Sequence, residues 1–314
     1  MEQQRFHSSK KRLLADYGID PAELLNRGME AEVYALDDER VLKLYHAATP
    51  IANLQTLQHF YATLTRQQLS YALPVIQSIE QQEGLVVVVE KRLHGQPLAT
   101  LVAAWDPQAL DELLARYLHA VVELGQLTMP DDTVRYKLFD AVGISARGAG
   151  DWHQFLLRYV ELKLTQLTPF FVRDVTNYDA KVQRMGELLA QPYRGPYRLI
   201  HGDFFPGNLL VDDKGHPTAL LDFGLFTMYG DPLFDLATAC AFFDMYDELG
   251  ANLCARLFDL ACAQFGEALR PMLHRYLLLY SFLSANTYSS QCADGHYAWC
   301  VANLNNSTYW EAVI

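Results

Sequence analysis

The sequence predicts an α+β fold in two parts, a small β-rich N-terminal region and a larger, mainly helical C-terminal one. Three observations carry this. Up to Leu93 the apolar residues fall in short runs broken by polar turns. Beyond it they recur at helical spacing over long stretches. Within the helical part lies one short β island, residues 197–221, and it holds the densest set of chemistry-bearing side chains. The expected boundary falls near Leu93, giving domains of 1–93 and 94–314 with no long linker.

The elements follow in order. Leu24-Leu25 leads into the turn Gly28-Met29-Glu30. Ala31–Leu36 alternates, Asp37-Asp38-Glu39-Arg40 makes a polar turn, and Val41–Tyr45 returns as the second arm of a hairpin. Pro50 opens a segment, running to Leu69, with Ile51, Leu54, Leu57, Tyr61 and Leu64 at helical spacing. Val75–Ile79 and Leu85–Val89 are two further strands around the polar turn Glu80–Gly84. Helices are expected at Pro107–Leu124, Trp152–Leu167 and Thr176–Leu189, with three or four more from Asp231 to the end. The β island comprises Tyr197–Ile200, Asn208–Val211 and Thr218–Leu221, the last two joined by the turn Asp212-Asp213-Lys214-Gly215.

Composition narrows the function. The 314 residues hold 25 Lys+Arg against 37 Asp+Glu, a formal charge of −12, with 51% hydrophobic and 12% aromatic residues. That is core enough for two domains and excludes a disordered chain. The acidic balance repels polyanions, so neither nucleic acid nor an anionic membrane is an expected partner. Met1–Leu14 is polar and basic with no apolar run behind it, and no stretch approaches the ~20 apolar residues of a membrane span. The five cysteines (240, 254, 262, 292 and 300) form no CxxC or Cys/His cluster and read as buried, reduced thiols. Cys254 and Cys262 are spaced to share a helix face, as are Cys292 and Cys300. A cytoplasmic location is expected.

The chemistry concentrates in His201-Gly202-Asp203-Phe204-Phe205-Pro206-Gly207-Asn208, followed by Asp222-Phe223-Gly224. By average residue usage, H-G-D-x-x-x-x-N arises by chance in on the order of one in a thousand chains of this length. A loop between short strands carries one carboxylate and one amide, and a second carboxylate ends the next strand. Phosphoryl transfer needs this inventory: a carboxylate to take a hydroxyl proton, and oxygen ligands for Mg²⁺.

On these residues the chain resembles the aminoglycoside phosphotransferase and choline kinase families, small-molecule relatives of the protein kinases. The resemblance runs from about Leu24 to the C-terminal helices. It implies a bilobal protein-kinase-like fold binding ATP, with GTP as the alternative donor, together with Mg²⁺. It makes Asp203 the catalytic base and Asn208 and Asp222 the metal ligands, with His201 bracing the loop. In the β-rich lobe, Gly28 and its neighbours resemble a phosphate-covering turn, with one glycine where protein kinases have three. Lys43, in Val41-Leu42-Lys43-Leu44, stands where an ammonium pairs the α- and β-phosphates. Glu90-Lys91-Arg92-Leu93-His94-Gly95 resembles the hinge, so that Glu90 and Arg92 join the nucleotide-binding set. One departure stands out. Such folds pair the strand lysine with a carboxylate from the following helix, yet no Asp or Glu occurs between Lys43 and Glu80. Gln55 or Gln58 is the expected substitute.

Asp222 lies only nine residues before Asp231, which with Pro232 is expected to open a helix. That leaves little room for a peptide-docking segment. Gly202 also replaces an arginine that in many protein kinases contacts a phosphorylated segment. A small hydroxyl acceptor is therefore expected. Carboxylates at Asp244, Asp247, Glu248, Asp294 and Glu311 suit a cation such as an aminoglycoside antibiotic, the lead. The aromatics Tyr288, Tyr297, Trp299, Tyr309 and Trp310 suit a quaternary ammonium. The alternatives are a metabolic kinase for choline, homoserine, a sugar or a fructosamine, and a nucleotide-binding regulatory module without turnover.

Overall fold

The structure is a computed structural model and describes residues 2–28, 31–45, 49–64, 68–106, 108–128, 151–223, 226–245 and 253–312. Met29, Glu30, Pro107, Gly224, Asp247 and Glu248, all named above, lie outside the described residues. The chain divides into two compact units. The first is Met1–Gly95 with Leu210–Asp213 and Thr218–Leu221, and the second is the remainder. The division is thus not a single cut near Leu93, because two short segments of the β island belong with the N-terminal unit.

The first unit opens with α1 (Glu2–Asp16), followed by β1 (Leu24–Arg27), β2 (Ala31–Ala35) and β3 (Arg40–Tyr45). Then come α2 (Ile51–Leu64), β4 (Ile76–Gln82) and β5 (Leu85–Lys91). The strands form one antiparallel sheet in the order β1-β2-β3-β5-β4. β5 lies between two neighbours and is buried from Leu85 to Glu90, which is why it reads as a continuous apolar run rather than an alternating one. α2 starts directly after Pro50, as expected.

The sequence reading does not anticipate α1, because Leu13 and Leu14 are an apolar pair in a polar stretch and make no helical stripe. Its helical state is decided by packing. Both leucines are 1% exposed and join Tyr34, Leu42, Leu44, Val87 and Val89 in one core. Lys10 adds an ion pair to Glu32 at 2.5 Å. The bridge Ala72–Ala219, with Ala72 N–H donating to Thr218 O and Leu220 N–H to Ala72 O, ties residues 218–221 into this unit.

The second unit carries β6 (Gln96–Pro97), α3 (Leu98–Ala104), α4 (Leu110–Leu124), α5 (Trp152–Asp174) and α6 (Tyr178–Ala190). The island strands are β7 (Arg198–Ile200) in this unit, and β8 (Leu209–Val211) and β9 (Pro217–Leu220), which fall largely in the first; β10 (Met228–Gly230) follows in the second. The C-terminal part holds α7 (Leu233–Ala241), α8 (Leu253–Phe265), α9 (Arg270–Ser284), α10 (Gly295–Asn305) and α11 (Ser307–Ala312). Among the described residues that is five helices where the sequence suggests three or four, and β6, α3 and β10 are too short to show a period. α5 runs past the expected end at Leu167 and through Pro169. Its continuation is held by Phe171, fully buried against Phe282 and Tyr297. α9 is the centre of the unit. Every residue from Tyr276 to Ser284 is buried, and the helix packs against α5, α7, α10 and α11. A helix surrounded on all sides shows no amphipathic stripe.

All five cysteines are buried and free. Cys254 and Cys262 share α8, but Cys292 precedes α10 in a left-handed backbone conformation (φ 53°) and shares no helix with Cys300. No helix among the described residues is long and apolar enough to cross a membrane.

Candidate active site

β7 delivers His201-Gly202-Asp203 and pairs antiparallel with β10, Ile200 opposite Met228. The loop that follows is fixed by three helices of the second unit and by the residue before β10. From α7, Asp235 accepts the backbone N–H of His201 at 2.5 Å and that of Gly202 at 2.8 Å. From α4, the Tyr117 hydroxyl donates to Phe204 O. At α3, Ala99 N–H donates to Pro206 O at 3.1 Å. Just before β10, Thr227 Oγ1 donates to His201 O at 2.8 Å. Gly202 has φ +80°, and a Cβ there would lie 2.3 Å from Phe226 O, so only glycine fits.

His201 is fully buried. Its Nδ1 accepts the Asp203 N–H at 3.2 Å, and its ring lies 4.3 Å from that of Phe223. It braces the loop, and the buried Phe223 ring carries Asp222 beside it.

Asp203 and Asn208 face each other across the loop. Asn208 Nδ2 donates to Asp203 O at 3.0 Å and to Asp203 Oδ2 at 3.2 Å. The amide nitrogen faces Asp203, so the amide oxygen is turned away from it. Burial pushes the Asp203 carboxyl up to about 6; the Asn208 hydrogen bond opposes this and the Asp222 charge adds to it. Asp222 is exposed and has φ 57°, a left-handed conformation uncommon outside glycine. Asn208 and Asp222 offer an amide and a carboxylate oxygen, the hard donors Mg²⁺ takes. Among the described residues no group of three or more His, Cys, Asp or Glu side chains forms a metal site. Mg²⁺ needs no such group, because phosphate and water oxygens complete its shell.

Asp235 is a residue the sequence reading missed. It is 2% exposed, and burial raises its carboxyl to about 7 against the pull of its two N–H donors. The available signal was a lone acid in the apolar run Leu233–Ala241, since a buried carboxylate must have partners. Asp231 is the acid expected at the start of that helix. That residue does accept Leu233 N–H at 3.0 Å, and it takes the Tyr276 hydroxyl at 2.7 Å.

In the first unit, Lys43 Nζ lies 2.9 Å from Glu90 Oε2. This corrects the expected glutamine partner. Gln58 Nε2 donates to Ile76 O at 3.1 Å, and Gln55 is exposed. Gly28 N–H donates to Ala31 O at 3.0 Å across the β1–β2 turn. Arg92 does not offer its N–H to a base: that group donates to Glu39 O at 2.7 Å, and its guanidinium donates to Asp37 O. Glu90, expected in the hinge, is paired within the sheet to Val41 and Ile76.

The nominated acceptor groups separate. Asp294 caps α10 by accepting Tyr297 N–H at 2.7 Å, and Asp244 accepts Cys254 N–H at 3.0 Å. Tyr297 donates to Asp174, Tyr309 lies against His274, and Trp310 Nε1 donates to Leu304 O. Trp299 and the half-exposed Tyr288 both lie against His296, and Glu311 is exposed.

An antiparallel N-terminal sheet, a helical C-terminal part and a strand-flanked loop with this donor set define the class of kinase-like phosphotransferases. The model of the phosphotransferase enzyme family matches residues 21–274, and the chain belongs to that family. By that family it is a phosphotransferase, and its fold is that of kinase-like enzymes. Among solved structures, the chain is similar to ADP-bound aminoglycoside phosphotransferase APH(2'')-Ib, with 15% identity over 98% of this chain and 99% of that one and a TM-score of 0.63. It is similar to the gentamicin complex of APH(2'')-IIa, with 16% identity over 97% of both chains and a TM-score of 0.63. APH(3'')-Id from Streptomyces rimosus gives 16% identity over 90% of this chain and 99% of that one, with a TM-score of 0.59. No curated protein matches the sequence.

Proposed function

We propose that the protein transfers the γ-phosphoryl group of ATP, with GTP as the alternative donor, to a hydroxyl of a small molecule, and that Asp203 is its catalytic base. The observation that supports this most directly is the contact of Asn208 Nδ2 with both Asp203 O and Oδ2. One amide holds the carboxylate and turns its own oxygen toward a cation position. Asp203 orients the acceptor hydroxyl and takes its proton as the phosphoryl group arrives. A carboxyl raised to about 6 is ionised at neutral pH and more basic than an ordinary aspartate. Asn208 and Asp222 would hold Mg²⁺, which when bound neutralises charge on the β- and γ-phosphate oxygens. Lys43 pairs phosphate oxygens, and Gly28 lies in the turn that covers them.

An aminoglycoside-type antibiotic is the lead acceptor, supported by structural neighbours solved with such ligands. One observation favours a second reading, a metabolic acceptor. Asp244 and Asp294 are engaged at helix starts, whereas Trp299 and Tyr288 form an aromatic cluster with His296 in the same helical part. An ATP-consumption screen over aminoglycosides, choline, homoserine, sugars and fructosamines, with and without Mg²⁺, separates the two. Turnover of aminoglycosides alone supports the lead, turnover of a metabolite alone replaces it, and no consumption with any acceptor overturns both.

A further inference from the structure

Helix α2 offers Lys43 no acid. Its 14 residues contain neither Asp nor Glu, and Gln58 is engaged by the Ile76 carbonyl. The carboxylate beside Lys43 comes instead from the sheet. Register places Lys43 opposite Val88 and Val41 opposite Glu90, so all four side chains share one face. Lys43 and Glu90 are diagonal neighbours on adjacent strands, a separation long side chains span. The opposite face, with Leu42, Leu44, Val87 and Val89, is covered by Leu13 and Leu14 of α1. The Glu90 side chain is 5% exposed and that of Lys43 19%, so the carboxylate is the buried partner.

We propose that Glu90 is a positioning residue for Lys43: strand β5, rather than helix α2, supplies the carboxylate that sets the ammonium for the nucleotide phosphates. This rests on Lys43 being a phosphate ligand. The physical consequence follows from the ladder. Both residues belong to neighbouring hydrogen-bonded strands, so their spacing changes only if the sheet is broken, whereas a helix-borne partner moves with its helix. The ammonium is therefore preset in the free protein, and a shift of α2 does not unpair it.

The test measures ADP and adenosine affinity by calorimetry with Mg²⁺ present, alongside KM for ATP and for the acceptor. Lys43→Met should weaken ADP by ~10-fold or more and spare adenosine. Glu90→Gln should weaken ADP ~3- to 10-fold, leave adenosine within ~2-fold, and raise KM for ATP more than KM for acceptor. In the Lys43→Met background Glu90→Gln should add nothing, because it acts through the lysine. Gln55→Ala should bind ADP as the unaltered protein does. Should Glu90→Gln not fold, Glu90→Asp, with its charge one methylene further from Lys43, should show the same ADP-specific loss in smaller measure. An ADP loss with Lys43→Met but none with either Glu90 variant overturns the positioning role alone. Equal loss of ADP and adenosine on changing Glu90 also overturns it. Unchanged ADP affinity in Lys43→Met overturns the phosphate-ligand reading beneath it.

Discussion

Gly202 gives its backbone N–H to Asp235 Oδ1 at 2.8 Å, across 33 residues of sequence. The His201-Gly202-Asp203 loop is therefore held from behind by a buried carboxylate of α7.

Removing that anchor should be costly. Asp235→Ala leaves the N–H groups of His201 and Gly202 buried and unpaired, at about 1–3 kcal/mol each. Urea unfolding should show a loss of about 2–5 kcal/mol, and kcat should fall with it. Asp235→Asn keeps one acceptor oxygen and should lose less. A stability unchanged in the alanine variant would mean that the loop is held elsewhere.

The second prediction concerns Gly202. A methyl group there meets Phe226 O at 2.3 Å, backbone that cannot swing aside, and φ +80° is strained for alanine. Gly202→Ala should lower kcat at least ~10-fold with KM for ATP little changed, since the displaced group is Asp203. Steady-state kinetics decide it, and near-normal kcat counts against the geometry.

Asp203 should trade stability for chemistry. Its carboxyl is raised to about 6 in the fold and titrates near 3.8 when unfolded. This contribution to stability is fully present at about pH 3 and below, where both states are neutral, and is lost as pH rises from 3.8 through 6. Asp203→Asn is neutral at every pH. Relative to the unaltered protein it should gain up to about 3 kcal/mol at pH 8 and almost nothing at about pH 3, while kcat drops by at least ~10²-fold. Thermal melts at the two pH values, paired with turnover assays, test both halves. A pH-independent difference would remove the assigned burial effect.

For Asp222, loss of the carboxylate should weaken Mg²⁺-nucleotide binding and stop turnover. Nucleotide titrations of Asp222→Ala with and without Mg²⁺ are the measurement. If the variant still gains as much affinity from Mg²⁺ as the unaltered protein, the metal lies elsewhere.

Asp294 should behave as a helix cap rather than an acceptor ligand. Asp294→Asn keeps a capping oxygen for Tyr297 N–H and should leave acceptor KM unchanged, whereas Asp294→Ala should cost about 1 kcal/mol of stability. A severalfold rise of acceptor KM in the asparagine variant would return Asp294 to the acceptor site.

The sequence by itself determined the family, the hairpin strands of the N-terminal sheet and the candidate residues Asp203, Asn208 and Asp222. These are local signals: alternation, turn residues and fixed spacing within one loop and the strand after it. Tertiary structure decided what depends on distant partners. Leu13 and Leu14 become one face of a helix only against Tyr34 and Val87. Lys43 pairs with Glu90 only because an antiparallel ladder brings residues 47 positions apart onto one face. Asp235 stands in sequence only as a lone acid in an apolar run; its two N–H donors lie 33 and 34 residues away, in the loop it anchors. A buried charge must find its counterpart wherever the fold supplies one, and sequence spacing does not record where that is.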